Sequence, residues 1–209
     1  MDGLTLALDA STYTGTVAVA RDGRVVAERA VAMRGREEER LMPGVHDALA
    51  GAGAVPADLA RIVCGSGPGS FTSLRVAAAI AKGIATGLSI PLFAVSSLAL
   101  AGVEAGEGTW LVALDAMRGE RFTAVFRWDG HLLTALSEER LLAAADLDAR
   151  AGSVGARVVD GAPHARAGIR LLGSPLVRQV DLATWEPSYG RLAEAQVRWE
   201  AAHGRPLGQ

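Results

Sequence analysis

Leu6-Ala7-Leu8-Asp9-Ala10, near the start of the chain, and Leu111-Val112-Ala113-Leu114-Asp115-Ala116, near its middle, state one pattern twice. Each is an apolar run ending in an aspartate, followed by a short polar turn. The first copy continues with Thr16-Val17-Ala18-Val19-Ala20, then Asp22-Gly23 and Val25-Val26-Ala27. The second continues with Thr123-Ala124-Val125-Phe126, then Asp129-Gly130 and Leu132-Leu133. Asp-Gly between apolar runs is a hairpin signal, because both turn residues tolerate a left-handed backbone. Each copy therefore predicts three antiparallel strands with a carboxylate at the first bend.

Between the copies the pattern turns helical. In residues 36–50, Leu41, Val45, Ala48 and Leu49 recur on one helical face, with a kink or an extra first turn expected at Pro43. A strand is predicted over 61–65, a glycine loop over 65–70 and a helix over 72–86. That helix has two apolar faces. Val76, Ile80 and Ile84 are large and suit a sheet; Leu74, Ala77, Ala78, Ala81 and Ala85 are mostly small and suit close approach of another helix. A strand over 90–95 and a helix over 97–103 close the first half. After its meander the second half offers one helix, 142–151, a strand at 157–160 and a loose Arg/Gly/Pro region, and the chain ends in a last helix over 191–203.

Bulk properties narrow the function. The 209 residues are 50% hydrophobic and 21% charged, with a formal net charge of -2, a globular profile without the basic stripe that independent nucleic-acid binding needs. Cys64 is the single cysteine, which excludes an intramolecular disulfide and reads as a buried small hydrophobe. The uncharged stretch 83–103 is broken by Pro91, Gly87 and three serines, so no membrane span is expected there. With no basic, apolar leader at the N-terminus, the sequence predicts a cytoplasmic protein.

The block Gly65-Ser66-Gly67-Pro68-Gly69-Ser70-Phe71-Thr72 leads from a strand into a helix, where free amides can receive an anion. It matches neither nucleotide fingerprint: Ser70 stands where a dinucleotide loop needs glycine, and Lys82 precedes Gly83 rather than a hydroxyl. A tight turn that brings helix and sheet together explains it equally well. Gly-x-Ser-x-Gly does not occur, and His46, His131, His164 and His203 share no metal-ligand spacing.

Residues 65–82 (GSGPGSFTSLRVAAAIAK), with Asp9-Ala10-Ser11-Thr12 before them and Val95-Ser96-Ser97-Leu98 after, resemble the bacterial TsaB family, also called YeaZ. Pro187-Ser188-Tyr189-Gly190-Arg191 and residues 194–200 share the likeness, which is weakest from 137 to 183. The resemblance implies an α/β actin-like ATPase (ribonuclease H-like) duplicated fold with two lobes, the second truncated. One lobe would comprise residues 1–104 plus 186–209, and the other residues 105–185. It also implies a non-catalytic subunit required for threonylcarbamoyladenosine in tRNA. The partners it implies are a TsaD-like transferase, a TsaE-like ATPase and, when alone, a second copy, with tRNA met only indirectly and no membrane.

For the site, the resemblance implies that Ser97 and Ala101 occupy the places where a TsaD transferase carries its metal-binding histidine pair. Asp9, Ser11, Thr12 and Asp115 read as a vestigial phosphate loop, since Met117 stands where glycine would admit phosphate. No resident cofactor is implied, and ATP or ADP is admitted only at the interface of the complex. The partner interface is expected at Arg40, Leu41, Val45, Leu74, Arg75, Ala78, Ala81, Lys82 and Ala85, with Glu37, Arg40, Arg75 and Lys82 as a charged rim. Two rival readings remain: an ATP-dependent phosphotransferase or hydrolase in which Asp9 and Asp115 share a magnesium–phosphate site, and a homodimeric structural protein.

Overall fold

In the computed structural model, which describes residues 3–33, 40–191 and 203, both aspartate-ended runs are strands. In chain order the first half is β1 (Leu4–Asp9), β2 (Thr14–Arg21), β3 (Arg24–Ala32), α1 (Leu41–Gly51), β4 (Leu59–Gly65), α2 (Phe71–Leu88), β5 (Leu92–Val95) and α3 (Ser97–Glu104). The second is β6 (Gly108–Asp115), β7 (Glu120–Trp128), β8 (Leu133–Ala135), β9 (Arg140–Ala143), α4 (Leu147–Ser153), β10 (Arg157–Asp160), α5 (Ala165–Leu171) and β11 (Arg178–Gln179).

Strands order as β11-β5-β4-β1-β2-β3 in one sheet and β10-β6-β7-β8 in the other, with β9 also paired to β7. In each, an antiparallel meander receives a parallel strand beside its first member: β4 beside β1, β10 beside β6. Among the described residues, the second sheet has no counterpart of β5. This duplicated plan, with a shorter second copy among the described residues, is the one the resemblance implies. The first hairpin forms as expected, with Asp22 at φ 52° and Gly23 at φ 76°.

Period-two alternation along β1 sorts its side chains onto two faces. Leu4, Leu6 and Leu8 join Val17, Val19, Ile62 and Leu92 under α1 and α2. Burying each such leucine contributes about 2 kcal/mol. Ala7 falls on the other face with Ala18, Ala20, Val63 and Val95, where α3, α5 and residues of the second sheet complete one shared core.

Several expectations change. Helix α1 begins at Leu41, which puts Pro43 in its first turn, where its missing N–H costs nothing. Residues 36–39 lie outside those described. The helix expected over 142–151 starts instead as β9, because residues 140–143 pair with β7; a 3-10 turn over Ala144–Asp146 then leads into α4. The loose region contains α5, which packs on the first sheet, and β11, which pairs with β5. The chain thus returns to the first lobe within 165–179, inside the range 105–185 expected for the second. Of the last helix, only its end positions Arg191 and His203 are described. No helix among the described residues is long and apolar enough to cross a membrane.

Candidate functional site

Asp9 ends β1 on the inner, small-residue face and is fully buried. Its Oδ1 accepts the Ser11 N–H at 2.9 Å and the Ser11 hydroxyl at 2.8 Å. Its Oδ2 accepts the Ser97 hydroxyl at 2.5 Å, and Ser97 Oγ in turn accepts the Gly67 N–H at 3.1 Å. Burial pushes the Asp9 carboxyl above its usual range, against the opposing pull of the Ser97 and Ser11 hydrogen bonds. A carboxylate spent this way faces α3 and the glycine loop.

The glycine block is built around that carboxyl. A side chain on Gly65 would place its Cβ 1.9 Å from Asp9 Oδ2, and one on Gly69 would meet Ser11 O at 2.1 Å. Gly67, at φ 89°, passes so close to the later chain that a Cβ would lie 2.1 Å from Ser188 O. Loop amides that could have faced an anion are spent inside the protein: Ser66 N–H on Val95 O, Gly67 N–H on Ser97 Oγ, and Ser70 N–H on Ser11 O. The block acts as a tight turn that locks strand, helix and bend together.

At the second bend, Asp115 is exposed and accepts the Met117 N–H at 3.0 Å and Arg121 Nη1 at 3.0 Å. Arg121 also reaches Asp160 at 3.7 Å. The two bends meet through other residues: the Tyr13 hydroxyl donates to Met117 Sδ at 2.6 Å. Thr12 folds back on its own turn, donating to Thr14 O at 3.1 Å. Of the four expected phosphate-loop residues, the structure joins Asp9 to Ser11 and gives Thr12 and Asp115 other partners. Among the described residues, no group of three His, Cys, Asp or Glu side chains could hold a metal ion.

Most residues expected at the partner interface lie inside the molecule. Leu41, Val45, Leu74, Ala81 and Ala85 are fully buried and Ala78 nearly so. The small side of α2, with Ala77, Ala81 and Ala85, lies on the sheet because the sheet face beneath it already carries leucines. Its large residues Val76, Ile80 and Ile84 are only half-buried. Ala79, Gly83 and Gly87, spaced by four, are exposed, and a Cβ on either glycine would meet nothing within 4 Å. Two residues of the expected rim have partners within the chain. Lys82 Nζ donates to Trp185 O at 2.9 Å, and Arg75 Nε donates to the Tyr189 hydroxyl at 3.3 Å. Arg40 is exposed at the start of α1, beside Met42 at 44% exposure, and Glu37 lies outside the described residues.

The family model of TsaD, tRNA N6-adenosine threonylcarbamoyltransferase, matches residues 30–163. The tRNA threonylcarbamoyladenosine biosynthesis protein TsaB of Bacillus subtilis is 34% identical over 143 residues, covering 68% of this chain and 62% of its own length. TsaB of Escherichia coli is 34% identical over 132 residues, covering 59% of this chain and 55% of its own length. The solved structure of YeaZ from Pseudomonas aeruginosa superposes with a TM-score of 0.74 at 27% identity, over 90% of this chain and all of that one. The chain belongs to the TsaB/YeaZ family. It spans 62% of the first of these curated relatives and 55% of the second.

Within this TsaB/YeaZ chain, Ser97 and Ala101 are both buried in α3, and the Ser97 hydroxyl serves Asp9. That pairing, across 88 positions, was not legible in the sequence. The one signal was alternation: it puts Asp9 on the face of Ala7, toward whatever covers the small side of the sheet. Tyr189 and Arg191 belong to the shared C-terminal motif, and nothing in that motif marks their contacts with α2 and the second bend.

Proposed function

We propose that this TsaB/YeaZ chain is a non-catalytic subunit required for threonylcarbamoyladenosine modification of tRNA. It binds and activates a TsaD-like threonylcarbamoyltransferase through a helix-bundle interface, with a TsaE-like ATPase joining the pair in the cytoplasm. A second copy takes the same face when the transferase is absent. The observation that carries this reading is the fate of Asp9. In a phosphate-handling relative the first bend would offer its carboxylate to magnesium and nucleotide; here it is buried and saturated by Ser11 and Ser97. A transferase reading needs imidazoles at 97 and 101, and Ser97 and Ala101 stand there.

The docking face is best sought on the outward side of α2. Exposed Ala79, Gly83 and Gly87 allow close helix approach, and half-buried Val76 and Ile80 supply apolar area beside them. Glycine in an exposed helix interior costs about 1 kcal/mol relative to alanine, a cost that close backbone contact with a partner would offset. Buried Ala78 and Ala81 are unsuitable for testing this, because a charge there would disrupt the core.

Ile80→Arg or Gly83→Arg should leave the fold intact by circular dichroism and abolish co-purification with a co-expressed TsaD-like subunit. Cells relying on either variant should lose threonylcarbamoyladenosine from tRNA. Undiminished co-purification of both variants would sink this face.

A further inference from the structure

We propose that residues 188–191 form a strap that couples the first turns of α2 to the β6–β7 turn of the second lobe. The inference deepens the docking reading by naming how engagement of α2 reaches the rest of the molecule. The strap's own contacts carry it.

Successive strap residues pass from the first lobe to the second. The Ser188 N–H donates to Ser66 O at 2.7 Å, fixing the strap to the glycine loop. The Tyr189 ring lies 4.4 Å from that of Phe71, and Arg75 caps the pair, 4.0 Å from the Phe71 centroid, with its Nε on the Tyr189 hydroxyl. Gly190, at φ 69°, threads between the lobes: a Cβ there would meet Pro68 at 2.6 Å on one side and Phe122 at 2.5 Å on the other. Arg191 then reaches the second lobe. Its Nη2 donates to Ala116 O and to Glu120 Oε2, and its guanidinium lies 5.5 Å over the Phe122 ring.

The far end of the strap holds a turn that needs holding. Met117 at φ 65° and Arg118 at φ 57° are consecutive left-handed residues without being glycine, a conformation that side chains with a Cβ disfavour. Arg191 on the preceding carbonyl and Tyr13 on Met117 Sδ supply long-range support. Because the strap is short and pinned at both ends, displacing Tyr189 from α2 must shift Arg191 against the turn, and the reverse. Coupling of this kind is reciprocal by linkage.

Hydrogen exchange on the isolated chain tests this. Arg75→Ala should raise exchange of the Ala116, Met117 and Glu120 amides about fivefold, the low end of coupling between linked sites. Arg191→Ala should raise exchange at Leu74 and Arg75 by a similar factor, while Arg127→Ala, an exposed control on β7, should change neither. Tyr189→Phe keeps the ring and removes only the hydroxyl that Arg75 binds. If the alanine variants fail to fold, it decides, with faster exchange at 116–120 supporting the strap. Unchanged exchange at the far end in every folded strap variant would overturn it. As the transferase is not present, this outcome is separate from the co-purification result.

Discussion

The two bends make the same local hydrogen bond and end in opposite environments. In each, the aspartate Oδ1 accepts the backbone N–H two residues on, Ser11 in the first lobe and Met117 in the second. That shared Asx turn is a property of the short sequence around each aspartate. What surrounds it is not. Asp9 is roofed by Gly65 and Ser97 and excluded from water, whereas Asp115 stays at the surface beside Arg121. A repeated motif thus specifies a turn, and distant residues decide whether its carboxylate is a structural hub or a surface charge.

The largest effect that would break this contrast is Gly65→Ala. Its methyl would land on Asp9 Oδ2, and the buried bend has little room to move, so a loss of about 3 kcal/mol is expected in urea unfolding. An unchanged midpoint would mean that the first bend is as pliant as the second. Next comes Asp9→Ala, which leaves the Ser97 hydroxyl and Ser11 N–H without their acceptor and should cost about 2 kcal/mol. Asp115→Ala, the matched change on the surface, should cost under about 1 kcal/mol. Equal losses from the pair would erase the distinction.

The smallest effect is the most diagnostic. A carboxyl whose folded value is raised binds its proton more tightly folded than unfolded, so its contribution is fully present below its ordinary value of 3.8 and is lost as pH rises through the folded value. Asp9→Asn removes that dependence. Its stability relative to the unmodified chain should therefore improve between pH 4 and pH 7, read as the shift in urea midpoint. A difference that stays flat over this range would show that Asp9 titrates alike in both states.

Legibility followed the range of the interaction. The meanders, both Asp-Gly hairpins and α2 could be read because each depends on neighbours in sequence. Helix α5 could not, since it is only 7 residues long and its one polar pair, Arg166 and Arg170, is too short a pattern to set a period. Leu142 and the alanines that follow favour the helix expected over 142–151, and only pairing of 140–143 with β7 decides otherwise. The inversion of α2 has the same origin. Which side of a helix meets a sheet depends on the volume the sheet already presents, and Leu6, Leu8, Ile62 and Leu92 leave space only for alanines.

The small residues on the inner side of the first sheet have a mechanical consequence. Ala7, Ala18 and Ala20 share one uninterrupted apolar cluster with Leu98, Phe122 and Phe126, so hydrocarbon fills the place of a clamshell's hinge. Prising the halves apart would expose those aromatic rings to water. The molecule therefore offers any companion a rigid template of fixed curvature instead of a jaw that opens and shuts.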